Sequence, residues 1–227
     1  MLVADRRLSE SSGEVRYEDK TYCKLSQTVW AGAGTREDFG WFNEAMGEKI
    51  SRGIQIPSLI PTISTVIIEG RDRGLLKDFE LLLALRQLGK RKSQVYFFNR
   101  DGGCREIEDQ FVIGQGEPIG RLMLRKYYKR DLPMFKMVIL ATMIIKYIEG
   151  EELDSSVGVG TGMPTVWWLP DLPEPYLSDE ELPPGMRPMF SVRRADETEI
   201  EAFREPVDSI VKAWKTHVDS FFGRGGL

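Results

Sequence analysis

The amino-acid sequence predicts an α+β fold, antiparallel sheets covered by helices, from the order and texture of its segments. Two strand-like runs are followed by two helix-like stretches, then three strands, two helices and a strand. Apolar residues recur at helical spacing behind capping signals, as in Phe39, Phe42, Met46 and Ile50. Asn99-Arg100-Asp101-Gly102-Gly103, set between two strand patterns, marks a hairpin and therefore antiparallel pairing.

Each element has its own warrant. Leu2–Ala4 is a short apolar run closed by Asp5-Arg6-Arg7, and Ser9–Asp19 reads as a polar loop around Gly13. Tyr22–Ala33 reads as strand, ending in the small-residue cluster Ala31-Gly32-Ala33-Gly34. Thr35, with Asp38 in the acidic position three residues on, forms a capping box for a helix from Arg36 to about Ser51. A second helix is expected from Ser58 to about Arg73, against the β-branched run Ile63–Ile68. Phe79–Arg86, Ser93–Asn99 and Arg105–Ile113 read as strands.

Gly114-Gln115-Gly116 breaks that pattern, and Glu117-Pro118 opens a helix to about Lys129. Asp131 and Pro133 suit the start of a long helix, Pro133–Glu149. Leu153–Gly162 is read as a turn and Pro164–Leu169 as a strand in which Trp167 and Trp168 face opposite sides. Residues 170–188 hold six of the twelve prolines, so no regular element fits there. Asp196 and Glu199 form a second capping box, for a helix reaching about Phe222 and kinked at Pro206. The organisation is therefore a core, 1–169, and a Pro-rich connector plus C-terminal helix, 170–227.

Composition narrows the functional classes. The 227 residues are 41% hydrophobic and 29% charged, with a formal net charge of −4, which suits a packed core and not a duplex-binding surface. The basic run Arg121–Arg130 around Tyr127 and Tyr128 reads as a solvated helix face, so no nucleic-acid partner is expected. The longest apolar stretch, Met137–Ile145, is far short of the ~20 residues of a membrane span. Cys23 and Cys104 are the only thiols and His217 the only histidine, so no disulfide framework, histidine-ligated metal or other cofactor is expected. A reducing, cytoplasmic setting follows as the default.

Four patterns, in this order, resemble the proteasome β-subunit family of the N-terminal nucleophile hydrolases. They are Val3-Ala4-Asp5-Arg6-Arg7 at a strand end, Lys24-Leu25 ahead of a strand ending in Ala31-Gly32, and Phe111-Val112-Ile113-Gly114-Gln115-Gly116 before a helix. The last is Leu153-Asp154-Ser155-Ser156-Val157-Gly158 before the strand Thr165–Leu169. The resemblance spans about 165 residues from the family's second strand onward. It implies a four-layer α-β-β-α sandwich and self-assembly into rings. It also implies peptide hydrolysis by an N-terminal threonine whose own amine or a water is the base, with no need of histidine.

Carried over residue by residue, the resemblance implies that Asp5 is the acidic residue of the site and Arg7 its basic neighbour. Lys24 becomes the catalytic lysine and Gly32 the N–H donor to the oxyanion. Asp154 supports the amine, and Ser156 stands beside Val157, where the family has a serine. Gln115 departs from the serine of the family's Gly-Ser-Gly turn. Cys23 is not expected to act as nucleophile, since in a strand it faces away from Lys24.

Met1 and Leu2 bear no hydroxyl, and only four residues precede Asp5, where the resemblance implies a nucleophile about a dozen residues before the Asp-Arg-Arg motif. The expectation is a further strand of about twelve residues upstream beginning at Thr, Ser or Cys, or a strand from another chain. The functional expectation is a ring-forming, proteasome-like subunit that hydrolyses peptide or protein substrates if that nucleophile exists. The alternative is a non-catalytic, ring-forming scaffold or assembly subunit. The apolar stripe Ile200, Phe203, Val207, Ile210, Val211, Trp214, Val218 and Phe221 is expected to pack on the outer layer or on a neighbour.

Overall fold

The fold is given by a computed structural model of the chain, which describes residues 1–9, 15–17, 20–23, 25, 27–86, 93–150, 163–168 and 193–222. Its strands are β1 (Leu2–Ala4), β2 (Arg7–Ser9), β3 (Val15–Tyr17), β4 (Thr21–Tyr22), β5 (Thr28–Ala33), β6 (Glu80–Leu85), β7 (Gln94–Phe98), β8 (Cys104–Ile107), β9 (Thr165–Trp168) and β10 (Arg193–Arg194). Its helices are α1 (Arg36–Ser51), α2 (Ile56–Asp72), α3 (Glu117–Tyr127), α4 (Met134–Gly150), α5 (Glu197–Glu201) and α6 (Arg204–Phe222). All pairings are antiparallel. They build a five-stranded sheet β4-β5-β6-β7-β8, a three-stranded sheet β1-β9-β10 and the hairpin β2-β3.

Strand alternation sends successive side chains into different cores. On the five-stranded sheet, Trp30, Leu81, Leu83, Leu85 and Phe98 pack with Phe42 and Met46 of α1 and Leu59, Ile63 and Ile67 of α2. The intervening residues Val29, Ala31 and Ala84 meet Leu2 and Ala4 of β1 and Trp167 of β9. The other face of the small sheet, with Val3, Val166 and Trp168, packs on Val138 of α4 and Ile200 of α5. The central strand β6 is thus covered on both faces, which is why Leu81–Leu85 is apolar without alternation, while the edge strands β8 and β10 are exposed. Trp167 and Trp168 face opposite sides, as their adjacency in a strand requires.

Local chemistry sets the element ends. Thr35 Oγ1 accepts from Asp38 N–H while Asp38 Oδ2 accepts from Thr35 N–H, closing the capping box of α1. Asp38 Oδ1 also accepts from Lys77 N–H, so this 3% exposed carboxylate joins α1 to the approach of β6. At the β7–β8 turn, Asn99 Oδ1 accepts from Asp101 and Gly103 N–H. Gly102, at φ 78°, has no room for a Cβ beside the Ser64 carbonyl, 2.9 Å away.

Four expectations need correction. Tyr22–Ala33 is not one strand: the chain turns between β4 and β5, and Thr28 donates through both N–H and Oγ1 to Leu25 O. The loop expected at Ser9–Asp19 contains paired strand, with Arg7 opposite Tyr17 and Ser9 opposite Val15. The strand expected to reach Ile113 stops at Ile107, because Phe111 leaves the ladder to pack on Phe97 with rings 4.7 Å apart and Arg105 over its face. The tail helix breaks into α5 and α6 ahead of Pro206, whose ring and missing N–H disrupt the helical ladder.

The tail packs on its own subunit: Val207 and Ile200 are buried, Val211 lies on the α3–α4 core, and Lys146 Nζ of α4 donates to Asp208 Oδ1 at 2.6 Å. Of the predicted stripe, Ile210 is exposed. The Pro-rich stretch 170–188 and the turn Leu153–Gly162 lie outside the described residues. Among the described residues no helix is long and apolar enough to cross a membrane.

Candidate functional site

Asp5 leaves the end of β1, and its partner comes from the other sheet. β4 pairs with β5 so that Thr21 is opposite Ala31, which brings the preceding Lys20 opposite Gly32. Lys20 Nζ donates to Asp5 Oδ1 at 2.9 Å and to Oδ2 at 3.0 Å. The two side chains are only 13% and 18% exposed. In a pair so withdrawn from water, removing either charge costs more than it would at the surface. The contact is pinned from a second side: Trp167 of β9 donates through Nε1 to Thr21 Oγ1 at 2.8 Å, fastening β4 to the small sheet.

Gly32 lies across the hairpin from this pair, and its N–H donates to Lys20 O at 3.4 Å, a long bond. Packing alone requires glycine here. A Cβ would lie 2.6 Å from Phe39 Cδ2 and 2.9 Å from Phe79 Cε2. One residue on, Ala33 is opposite Glu80, whose Oε2 accepts from Gly114 N–H at 3.4 Å. Gly114, at φ 89°, sits 3.2 Å from the Ala33 Cβ measured from its own Cβ position. The Gly114-Gln115-Gly116 turn is therefore held at the end of β5, beside Gly32, with Gln115 exposed.

The structure thus brings Asp5 and Gly32 to Lys20, a residue that sequence reasoning did not select. Lys20 is a described partner of Asp5; Lys24, Asp154 and Ser156 lie outside the described residues. Arg7 is placed by its backbone in β2, opposite Tyr17. A hairpin reading of Thr21–Ala33 would have exposed Lys20, because it is the residue such a hairpin sets opposite Gly32. The polar turn Ser26-Gln27-Thr28 was the available signal.

The thiols lack the features of an activated nucleophile. Cys23 is half-buried, its Sγ donates weakly to Leu25 O at 3.5 Å, and burial pushes its pKa up. It sits at the β4–β5 turn, so the strand-alternation argument does not apply to it. Cys104 is exposed at the β8 start, and burial of its sulfur likewise raises its pKa. Among the described residues no group of three or more His, Cys, Asp or Glu could hold a metal ion.

No protein-family model matches the chain, and no curated protein matches it in sequence. Its fold is similar to that of solved structures of Anbu. The Gly-1 mutant of Anbu from Hyphomicrobium sp. strain MC1 superposes with a TM-score of 0.70 at 15% identity, covering 99% of this chain and 92% of that one. A second Anbu structure from the same strain gives 0.67 at 14% identity, covering 99% and 93%. Anbu from Yersinia bercovieri, described as an ancestral β-subunit, gives 0.63 at 15% identity with the same coverages. At such identities the likeness is one of fold.

Proposed function

We propose that the chain is a proteasome-like subunit of a self-assembling ring, with a four-layer α-β-β-α core, and that Asp5, Lys20 and Gly32 form the centre of a threonine-type peptide-hydrolysis site. The observation that carries this reading is the Asp5–Lys20 pair, held opposite Gly32 in a fold shared with an ancestral β-subunit. The three packing zones (α1 and α2 on the large sheet, sheet on sheet, small sheet on α4) support the four layers. Exposed Leu122 on α3 and Met134 and Phe135 on α4 offer apolar surface for contact with related subunits.

In this reading an N-terminal hydroxyl placed beside Lys20 attacks the peptide carbonyl. Its proton passes to the chain's own α-amine or a water and from there to the departing amine as the peptide C–N bond breaks, and water then hydrolyses the acyl ester. The Lys20 ammonium favours the deprotonated form of that hydroxyl, and Asp5 orients the ammonium. The Gly32 N–H donates to the oxyanion by giving up its long bond to Lys20 O. Asp154 and Ser156 are assigned to the amine's support and Arg7 to the Asp5 neighbourhood by the resemblance.

One observation favours the second reading, a non-catalytic ring scaffold: the Gly32 N–H is engaged within the sheet and the glycine is accounted for by Phe39 and Phe79. Treating the native protein with an electrophile that forms adducts with N-terminal threonine separates the two. A single N-terminal adduct by intact mass, with loss of peptide cleavage, supports the hydrolase. No adduct in a particle of ring mass by light scattering supports the scaffold. A monomer without an adduct rejects both. Hydrolysis by the 227-residue form that the electrophile leaves untouched would overturn the assigned chemistry.

A further inference from the structure

Asp5 and Trp167 both belong to the β1–β9 ladder. Leu2 pairs with Trp167 and Ala4 with Thr165, so Asp5 leaves β1 beside the strand that carries the indole. Their partners on the other sheet are sequence neighbours. Lys20 Nζ donates to both oxygens of Asp5, and the Trp167 indole N–H donates to Thr21 Oγ1 at 2.8 Å. Two successive residues are thus tied, through side chains, to one strand pair of the small sheet.

The strand they belong to has little else to hold it. β4 has two ladder residues, Thr21 opposite Ala31 and Tyr22 opposite Trp30, and it lies at the edge of the five-stranded sheet. A ladder that short specifies its register weakly. The lysine stem is long and flexible, so a contact with both Asp5 oxygens, at 2.9 and 3.0 Å, depends on where the backbone carrying it is held. The indole can hold it. Its apolar body packs with Val29, Ala31 and Ala84 between the sheets, while its one polar atom, Nε1, reaches Thr21. Trp168, the next residue of β9, faces the opposite side, in the cluster with Val138 and Ile200.

We propose that Trp167 is a positioning residue of the Asp5–Lys20 site: its Nε1–H, acting through Thr21, sets where β4 sits against the small sheet and with it the place of the Lys20 ammonium. The chemistry assigned to Lys20 rests on the hydrolase reading; the positioning of the pair does not.

Denaturant unfolding of the full chain tests this through a double-mutant cycle. Asp5→Asn, Lys20→Met and the two together give the coupling within the pair, which is measured again in the presence of Trp167→Phe and of Thr21→Val. Each of these should lower the coupling constant about three- to tenfold, and both together no further than either alone. Trp168→Phe, on the other face of the strand, should leave the coupling unchanged whatever it costs in stability. Undiminished coupling with Trp167→Phe or with Thr21→Val overturns the proposal, and so does an equal loss with Trp168→Phe, which would mark a general loosening. If the native protein cleaves peptides, Trp167→Phe should lower kcat about tenfold with KM little changed. Cleavage with an unaltered kcat overturns the role at the site. Coupling that depends on Trp167 in a native protein without peptide cleavage rejects the hydrolase reading and upholds the positioning.

Discussion

Lys20 Nζ lies 2.9 Å from one carboxylate oxygen of Asp5 and 3.0 Å from the other, joining the strand that precedes one sheet to the strand end of another. Because both side chains are largely buried, the pair couples the two sheets as well as charging the candidate site. Lys20→Ala is expected to cost about 1–3 kcal/mol, since it removes both hydrogen bonds that Lys20 Nζ gives Asp5 in a poorly solvated place. The double variant Asp5→Asn/Lys20→Met should cost less than the sum of the singles in denaturant unfolding. If Lys24→Ala, and not Lys20→Ala, shows the coupling to Asp5, the assignment of Lys20 fails.

Gly32 is expected to be intolerant of even one methyl group. A Cβ there would lie 2.6 Å from the Phe39 ring and 2.9 Å from that of Phe79, which is itself buried. Gly32→Ala should destabilise by about 1–3 kcal/mol, as overpacked cores do. Adding Phe39→Leu should restore part of that loss, a rescue visible as non-additivity in thermal melts. Equal loss with and without the second change would place the strain elsewhere.

Asp38 accepts from three donors, Thr35 N–H, Thr35 Oγ1 and Lys77 N–H, while almost wholly buried. Asp38→Ala removes the helix cap and strands the Lys77 N–H, and about 2–4 kcal/mol should be lost. Thr35→Ala, which leaves the Lys77 bond in place, should cost about 1 kcal/mol. Chemical denaturation of both variants checks the order; a larger loss in Thr35→Ala would contradict the bridging role of Asp38.

The tail's attachment is expected to weaken in acid. Hydrogen bonding from the Arg193 guanidinium, then from the Asp196 N–H, holds the Glu199 carboxyl from its usual 4.5 down to about 2. Its folded-state pKa is depressed, so its stabilisation is complete above pH 4.5 and is lost as pH falls from there towards 2. Asp196, lowered by its bonds from Thr198 and capping the same helix, acts in the same direction. Amide protection factors across α5, compared with α1 as an internal reference, should fall through that window, and Glu199→Gln should flatten the response. Protection that is constant from pH 5 to about 2.5 would show that this pair does not hold the tail.

Much of the secondary structure was legible because its causes lie within a few residues of each other. Thr35 with Asp38, and Asp196 with Glu199, close their capping boxes across three positions, and Asn99 with Gly103 closes a hairpin in five. Phe42 and Met46 are buried because one helical stripe faces one sheet. The same locality misled where a segment had a rival use. Tyr22–Ala33 has the residues of a single strand, yet two separate pairs of partners split it into a hairpin.

The sequence by itself determined the α+β class, both capping boxes and the β7–β8 turn, all consequences of short-range hydrogen bonding and side-chain period. Only the tertiary structure decided that Lys20 reaches Asp5, that Trp167 reaches Thr21, and that α6 lies along α4 with Lys146 on Asp208. The physical reason is register. Which residues meet across two sheets depends on pairings between distant segments, and a slip of one residue turns every side chain to the opposite face. The pairing of β4 with β5 sets Lys20 opposite Gly32, and the Asp5 carboxylate reaches it from the other sheet.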